Sequence, residues 1–303
     1  MYDLISIGNI SIDLFFQGES LTHTGNRFNL ALGGKYLADR FHESLGGGGA
    51  NVAMGVAKHG LKAAIMGIIG NNQFKPIILK HLADHRVSSE LCTYKDNYQK
   101  ISSILLSPAG ERTIINYETP HEHIFGSTEE LLGLKKAKMI YMSNLPRVSL
   151  REREHVLSYL HTNAIPVIFN MGVRDCRRPI HQILPLINKA GMLIVNAHEF
   201  SELIKQSYDR IDFNRDVRRF VSRSYGSLLI VTDGEKGSYC YFENQVYYMR
   251  AMPVTRIVDT TGAGDAYTAG FISGYLKHKG DIVRSMETGA HYAARIIEKI
   301  GAN

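Results

Sequence analysis

Cysteine is scarce: three residues, Cys92, Cys176 and Cys240, lie far apart in a chain of 303, and no CxxC occurs. That argues against a disulfide framework and against a structural zinc site. Long apolar runs are also missing, so no membrane span is expected. The opening residues MYDLISIGNI have no basic n-region and set Asp3 within an apparent strand. No signal peptide is therefore expected, and the cytoplasm is the default location. The charge excess is modest, 35 Lys and Arg against 29 Asp and Glu for a net +6, which suits an anionic substrate. The clusters Arg174, Arg177, Arg178 and Arg215, Arg218, Arg219, Arg223 have no interleaved aromatics. They read as solvated surface, and no nucleic-acid partner is expected. Two phosphate signatures are absent. No GxxxxGK[ST] occurs, and neither glycine cluster completes GxGxxG, Asn51 standing where the first would need its last glycine.

What is present is an ordinary soluble balance, 44% hydrophobic and 21% charged, long enough to bury a substantial core. Residues 2–16, with the run LISIGNISIDLFF, read as one buried first strand carrying Asn9 and Asp13. Helices are expected over 49–60, 75–86, 150–161, 179–190, 199–206 and 213–224. Strands are expected over 63–69, 139–143, 166–170, 192–196 and 227–234. This alternation predicts an α/β fold, a mainly parallel central sheet flanked by helices. Ligands of such sheets sit at the carboxyl ends of strands, where Asn196, Thr232 and the approach to Gly262 all fall. Segments 17–45 and 91–118 leave the alternation, the second as a hairpin turning at Pro108, Ala109 and Gly110. They are expected to form a small β lid on a single domain spanning 1–303. The plainer alternative is two surface hairpins with no part in closure.

The densest chemistry lies in DTTGAGDAYTAGF, residues 259–271. Gly262, Ala263 and Gly264 precede Asp265, and small residues follow at near-helical spacing. This predicts a tightly packed helix with Asp265 in its first turn. A helix N-terminus presents unpaired N–H groups and a partial positive charge, which favour phosphate. Glycines there remove the Cβ atoms that would hold a phosphate away. A carboxylate beside such a site is placed to take a proton from an attacking hydroxyl. The bland alternative is an acid that merely complements the helix dipole.

DTTGAGD also resembles the C-terminal motif of the ribokinase-like (PfkB) carbohydrate kinases. GGGGANVAMGVAKHGLKAAIMGIIG (46–70) resembles their other motif, and VNAHEFSEL (195–203) and VTDGEKGSYCY (231–241) resemble family segments in the same order. The resemblance covers nearly the whole chain. It implies the ribokinase-like fold and an ATP-dependent kinase of a sugar or sugar-like alcohol. By it, Asp265 is the general base, and the Gly262, Ala263 and Gly264 amides hold developing negative charge. Asp13, Gly47, Gly48 and Asn51 map onto acceptor-binding positions. Asn196 and Glu199 match an NxxE element that organises Mg²⁺ largely through water. Thr232, Gly234 and Gly237 match the nucleotide-binding turn, and His291 lies near the adenine position. Asp259 and Thr261 would contribute to a monovalent-cation (K⁺) site that some relatives have. A homodimer through the lid strands is a family habit. From the residues alone, Asn196 also reads as a helix N-cap, DGEKG as a hairpin turn, His291 as a surface helix position and Asp13 as a satisfied internal acid.

The chain departs from the family pattern in places. Many relatives carry DxN on the strand before NxxE, whereas this chain has Asn170, Met171 and Gly172, which leaves a contact toward magnesium or phosphate unassigned. Gly48 stands where ribokinase has Lys, against strict ribose specificity. The main alternative is a nucleoside kinase of adenosine type, which an aromatic wall from Phe28, Tyr36 or Phe41 would mark. A phosphosugar acceptor would need Lys35, Lys100 and Arg112 to converge. A non-catalytic binding relative would be expected to have lost Asp265 or the glycine triplet, and both are present.

Overall fold

The computed structural model describes residues 1–303 apart from 26, 108–111, 122–127, 222–226 and 303. The first half holds β1 (Tyr2–Ile7), β2 (Ser11–Gln17), β3 (Arg40–Gly46), α1 (Gly48–Lys58), β4 (Ala63–Met66), α2 (Lys75–Asp84), β5 (Val87–Ser88), β6 (Lys100–Leu106) and β7 (Arg112–Glu118). Then come β8 (Ala137–Met142), α3 (Leu150–Thr162), β9 (Val167–Asn170), α4 (Ile180–Ala190), β10 (Gly191–Asn196) and α5 (Ala197–Ile204). The chain closes with β11 (Leu228–Thr232), β12 (Ser238–Phe242), β13 (Gln245–Met249), α6 (Ala263–Lys277) and α7 (Ile282–Ile297).

Among the described residues, nine strands form the central sheet in the order β13-β12-β11-β10-β9-β8-β1-β4-β5. Pairing is parallel from β5 to β11, and β12 and β13 are added antiparallel. Strand alternation feeds two cores. Along β1, Ile5 and Ile7 enter the core shared with α3, α4 and α5, while Leu4 joins the one beneath α1, α6 and α7. The small residues of α6 have a packing reason. A Cβ on Gly270 would lie 2.7 Å from the Thr288 carbonyl oxygen, and one on Gly274 2.7 Å from Ser285 Cα, so α7 could not approach as it does. Side-chain caps start α3 at Ser149 and α7 at Asp281. No helix among the described residues is long and apolar enough to cross a membrane.

The apolar run 2–16 is not one strand. It breaks at residues 8–10, and β2 leaves the central sheet for a second one. The break is steric: a Cβ on Gly8 would overlap Ser143 Oγ and lie 2.7 Å from Gly49 Cα, while the Asn9 carbonyl accepts the Ala50 N–H at 3.2 Å. Asp13 therefore belongs to the second sheet. The expected strand 63–69 likewise divides, and Ile68–Gly70 pairs with Thr93–Lys95 instead. The expected helix 213–224 is replaced, in its described part, by a single 3₁₀ turn at Arg218–Phe220. There the Asp216 carboxylate accepts both the backbone N–H and the guanidinium of Arg218, bonds that compete with helix formation. The turn expected at 108–110 lies outside the described residues.

The second sheet has the order β7-β6-β2-β3. Its register places Asp13, Ser44, Ser102 and Asn116 side by side on one face, with Phe15, His42, Ile104 and Ile114 in the next rank. The opposite face carries Leu14, Phe16, Phe41, Leu105, Ile115 and Tyr117.

Candidate active site

The N-terminus of α6 is built by the turn before it. Asp259 is fully buried, and its Oδ1 accepts from the Thr261 N–H (2.8 Å) and Oγ1 (2.6 Å). Its Oδ2 accepts from the Gly301 N–H at 3.0 Å. Gly262 then caps the helix with φ 74°, a left-handed conformation that favours glycine, and a Cβ there would overlap Ala302. Nothing lies within 4 Å of a Cβ on exposed Gly264, so the helix is uncovered at that residue, while the Ala263 N–H before it donates to the Thr260 carbonyl at 3.3 Å.

Asp265 follows, half-buried, with Oδ2 accepting from Asn51 Nδ2 at 2.8 Å. A Cβ on Gly48 would sit 3.4 Å from its Oδ1, so glycine at 48 keeps the second oxygen clear. Burial pushes the Asp265 carboxyl above the ordinary carboxylate range; the Asn51 hydrogen bond opposes this and the charge of Asp13 adds to it. Asp13 is 7% exposed and accepts from Ser11 Oγ at 2.9 Å. Its carboxyl is also raised by burial, against the Ser102 and Ser11 hydrogen bonds and the Lys100 charge. Gly46 and Gly47 make this crossing possible. A Cβ on Gly46 would overlap the Asp13 carboxylate, and Gly47, at φ 92°, abuts the Asn9 carbonyl. Asp13, Gly47, Gly48, Asn51 and Asp265 thus come together at one cleft, although 252 positions separate the two acids (265 − 13). Ser44 Oγ, Ser143 Oγ and Asn144 Oδ1, around the same cleft, are buried without a hydrogen-bond partner.

Farther along the strand ends, Asn196 closes β10 and caps α5 in a reciprocal capping box. Its Oδ1 accepts the Glu199 N–H (2.8 Å), and Glu199 Oε2 accepts the Asn196 N–H (2.9 Å). Burial raises the Glu199 carboxyl, the Asn196 N–H opposes this, and Asp265 raises it further, so the two acids sense each other. Thr232 ends β11, and DGEKG is the tight turn into β12, closed by the Asp233 N–H to the Gly237 carbonyl at 2.7 Å. Gly234 and Gly237 have φ 52° and 97°. His291 stands apart: it is exposed and lines a groove with His59, Glu287, Thr288, Tyr292 and Arg295, none of them from that turn. No group of three His, Cys, Asp or Glu side chains able to hold a metal occurs among the described residues. Burial pushes the Cys92, Cys176 and Cys240 thiols up to about 12, which disqualifies them as nucleophiles at neutral pH.

Several contributors were invisible to spacing. Ser102 reaches Asp13 only through the pairing of β6 with β2. Tyr208 donates to Asp233 Oδ2 at 2.6 Å and underlies Lys236, whose Nζ is 4.7 Å from its ring centroid. Arg112, singled out in the sequence only by its charge, reaches from β7 to donate to Thr260 Oγ1 and lies 4.0 Å from Asp259 Oδ1.

The cleft thus sets Asp265, in the first turn of a helix capped by glycine, near Asp13 on the second sheet. The family model described as pfkB family carbohydrate kinase matches residues 1–303, and the chain belongs to that family. It is 26% identical to a nucleoside kinase of Methanocaldococcus jannaschii, over 99% of this chain and 92% of that one. It is 25% identical to an uncharacterized sugar kinase of Archaeoglobus fulgidus, over 82% of this chain and 96% of that one. The fold matches that of Arabidopsis thaliana ribokinase complexed with ribose and ATP, with TM-score 0.81 and 20% identity, over 99% of this chain and 94% of that one.

Proposed function

We propose that this chain transfers the γ-phosphate of ATP to a hydroxyl of a sugar or sugar-like acceptor, in the cytoplasm. The observation that carries this reading is Asp265, held by Asn51 in the first turn of α6 and facing the same cleft as Asp13. Asp265 takes the proton of the attacking hydroxyl, and its raised carboxyl makes it a stronger base than an exposed one. The amides following Gly262 offer N–H groups to charge developing on the transferred phosphoryl group. Asp13, supported by Ser11 and Ser102, orients acceptor hydroxyls, with Gly47, Gly48 and Asn51 as the floor. Asn196, Thr232, Gly234 and Gly237 form the nucleotide side, without His291.

Mg²⁺ fits this site only as an ion brought with the nucleotide. Glu199 is a single carboxylate already serving a helix cap, so it would hold the ion through water. Bound there, the ion would supply positive charge beside the phosphates. A K⁺ ion at Asp259 and Thr261 would share that carboxylate with Arg112, and activity in K⁺ against Na⁺ measures whether it acts.

The lid favours a polyhydroxy acceptor over a nucleoside. Phe41 packs on Phe16 on the outer face (5.5 Å between centroids), Phe28 lies against His23 (6.2 Å), and the Tyr36 hydroxyl accepts the Ala31 N–H. Lys35 is exposed and Lys100, whose charge acts on Asp13, is paired with Glu118 at 2.7 Å, so the three cations do not converge as a phosphosugar would require. We further read the outer lid face as a homodimer surface, since Phe41, Ile115 and Tyr117 are 60, 60 and 56% exposed there. The test is ATP consumption with magnesium against a panel of pentoses, hexoses, sugar phosphates and nucleosides. A strong response to a sugar supports the reading; silence across the panel with nucleotide binding intact overturns it.

A further inference from the structure

The turn between β11 and β12, residues 233–237, is built from residues with little shape of their own. Gly234 and Gly237 sit at φ 52° and 97°, and glycine gives up more backbone freedom on being fixed than any other residue. Backbone bonds close the turn on itself, with the Lys236 N–H donating to the Asp233 carbonyl at 2.9 Å. Two phenols tie it to the molecule around it. Tyr208, on the 3₁₀ turn Tyr208–Arg210 that follows α5, donates to Asp233 Oδ2 at 2.6 Å and accepts from Lys236 Nζ at 2.7 Å. Tyr248 of β13 donates to the Lys236 carbonyl at 3.1 Å. Of the two, Tyr208 also reaches the neighbouring strand end. Its ring lies 5.1 Å from that of His198, in the first turn of α5 between Asn196 and Glu199. Asn196 and Thr232 are partners in the pairing of β10 with β11. Tyr208 thus spans the helix that follows one strand end and the turn that follows the other. Lys236 is exposed and Asp233 and Tyr208 are half-buried, so this chain of three side chains adds little to the stability of the fold. Its consequence is geometric, a turn already shaped before a ligand arrives.

We propose that Tyr208 is a positioning residue for the nucleotide, acting through Asp233 and Lys236 to hold residues 233–237 in the shape that receives it. The inference rests on the assignment of this turn to the nucleotide in the kinase reading above. Its test is calorimetric titration of the full chain with a non-hydrolysable ATP analogue and Mg²⁺. Tyr208→Phe keeps the ring and its contact with His198 but removes both hydroxyl bonds, so the ligand has to order the turn itself. Affinity for the analogue should fall about fivefold. Asp233→Ala should weaken binding at least as much, and the double variant should bind no more weakly than Asp233→Ala, because the phenol then has nothing to act through. Asp233→Asn, which keeps an oxygen for the phenol, should recover most of the loss, a rescue that a general weakening of the fold would not show. Unaltered affinity in Tyr208→Phe, losses that multiply in the double variant, or an Asp233→Asn chain as weak as Asp233→Ala each overturn the inference alone. A wild-type chain that does not bind the analogue overturns the nucleotide assignment, and the inference falls with it.

Discussion

On the proposed reading Asp265 is under two opposed demands, since the burial that raises its proton affinity, as a base needs, also makes its charged form a burden on the fold. Asp265→Asn keeps the shape and an oxygen for Asn51 but cannot take a proton. Turnover should fall by roughly 10²–10⁴-fold with nucleotide binding retained, and unchanged turnover would refute the role of base. The same variant makes a stability prediction whose sign follows from linkage. A carboxyl raised in the folded state binds protons more tightly there than in the unfolded chain. Its contribution to stability is full below the unfolded value and is lost as pH rises through the folded one. At neutral pH the wild-type chain therefore carries a penalty that the uncharged amide of the variant would not. Thermal melts should show the variant more stable than wild type at pH 7, with the difference closing as pH falls to about 4. A variant that is less stable at every pH would mean that Asp265 serves the fold after all.

Elements explain what the sequence revealed and what it hid. The parallel sheet was legible because buried strands and amphipathic helices carry their own periods, and the α6 motif because glycines and an acid stand consecutively. The split of residues 2–16 was not, since the run LISIGNISIDLFF stays apolar across Gly8, and Ser143 and Gly49, which crowd Gly8, are far away in sequence. Asn196 and Glu199 show the opposite case, a local capping box that obeys helix rules whether or not a ligand is near. Arg153 was missed altogether. It is 1% exposed on α3 and makes a two-pronged bond to equally buried Asp175 in the turn Val173–Cys176, at 2.6 and 3.1 Å. Breaking a buried pair strands the partner charge, so Asp175→Asn should cost about 3 kcal/mol in a denaturant titration. A loss under about 1 kcal/mol would mean that water reaches Arg153. At the lid, β7 is an edge strand whose outer residues point to solvent. Ile115→Lys should shift a wild-type dimer to monomer in sedimentation, and a wild-type monomer would reject that surface as an interface.

Across the whole molecule, the second sheet joins the main body through a shared core, where Ile12 and Leu45 pack with residues of α1 and α2, and through polar contacts. Arg112 reaches Thr260 beside buried Asp259, and Asp259 in turn receives the Gly301 N–H. A Cβ on Gly301 would lie 3.2 Å from Ser44 Oγ, so the same C-terminal segment touches the lid again. The rest of the cleft between Asp13 on the lid and Asp265 on α6 is where ligands would add contacts. Acceptor and nucleotide bound together should therefore stabilise the chain more than either alone, by about 2.7 kcal/mol for a ligand at 100 times its dissociation constant. Two raised carboxyls in that cleft, with Glu199 a third nearby, make an unneutralised triphosphate a poor guest. Positive charge from the α6 terminus and Arg112 is modest against it, and on the proposed reading magnesium arriving with the nucleotide would offset the remainder. Excess chelator should abolish both turnover and the nucleotide-induced rise in melting temperature, and added Mg²⁺ should restore them. Full activity in chelator would mean that the helix terminus and Arg112 suffice, and Glu199 would then be a helix cap alone.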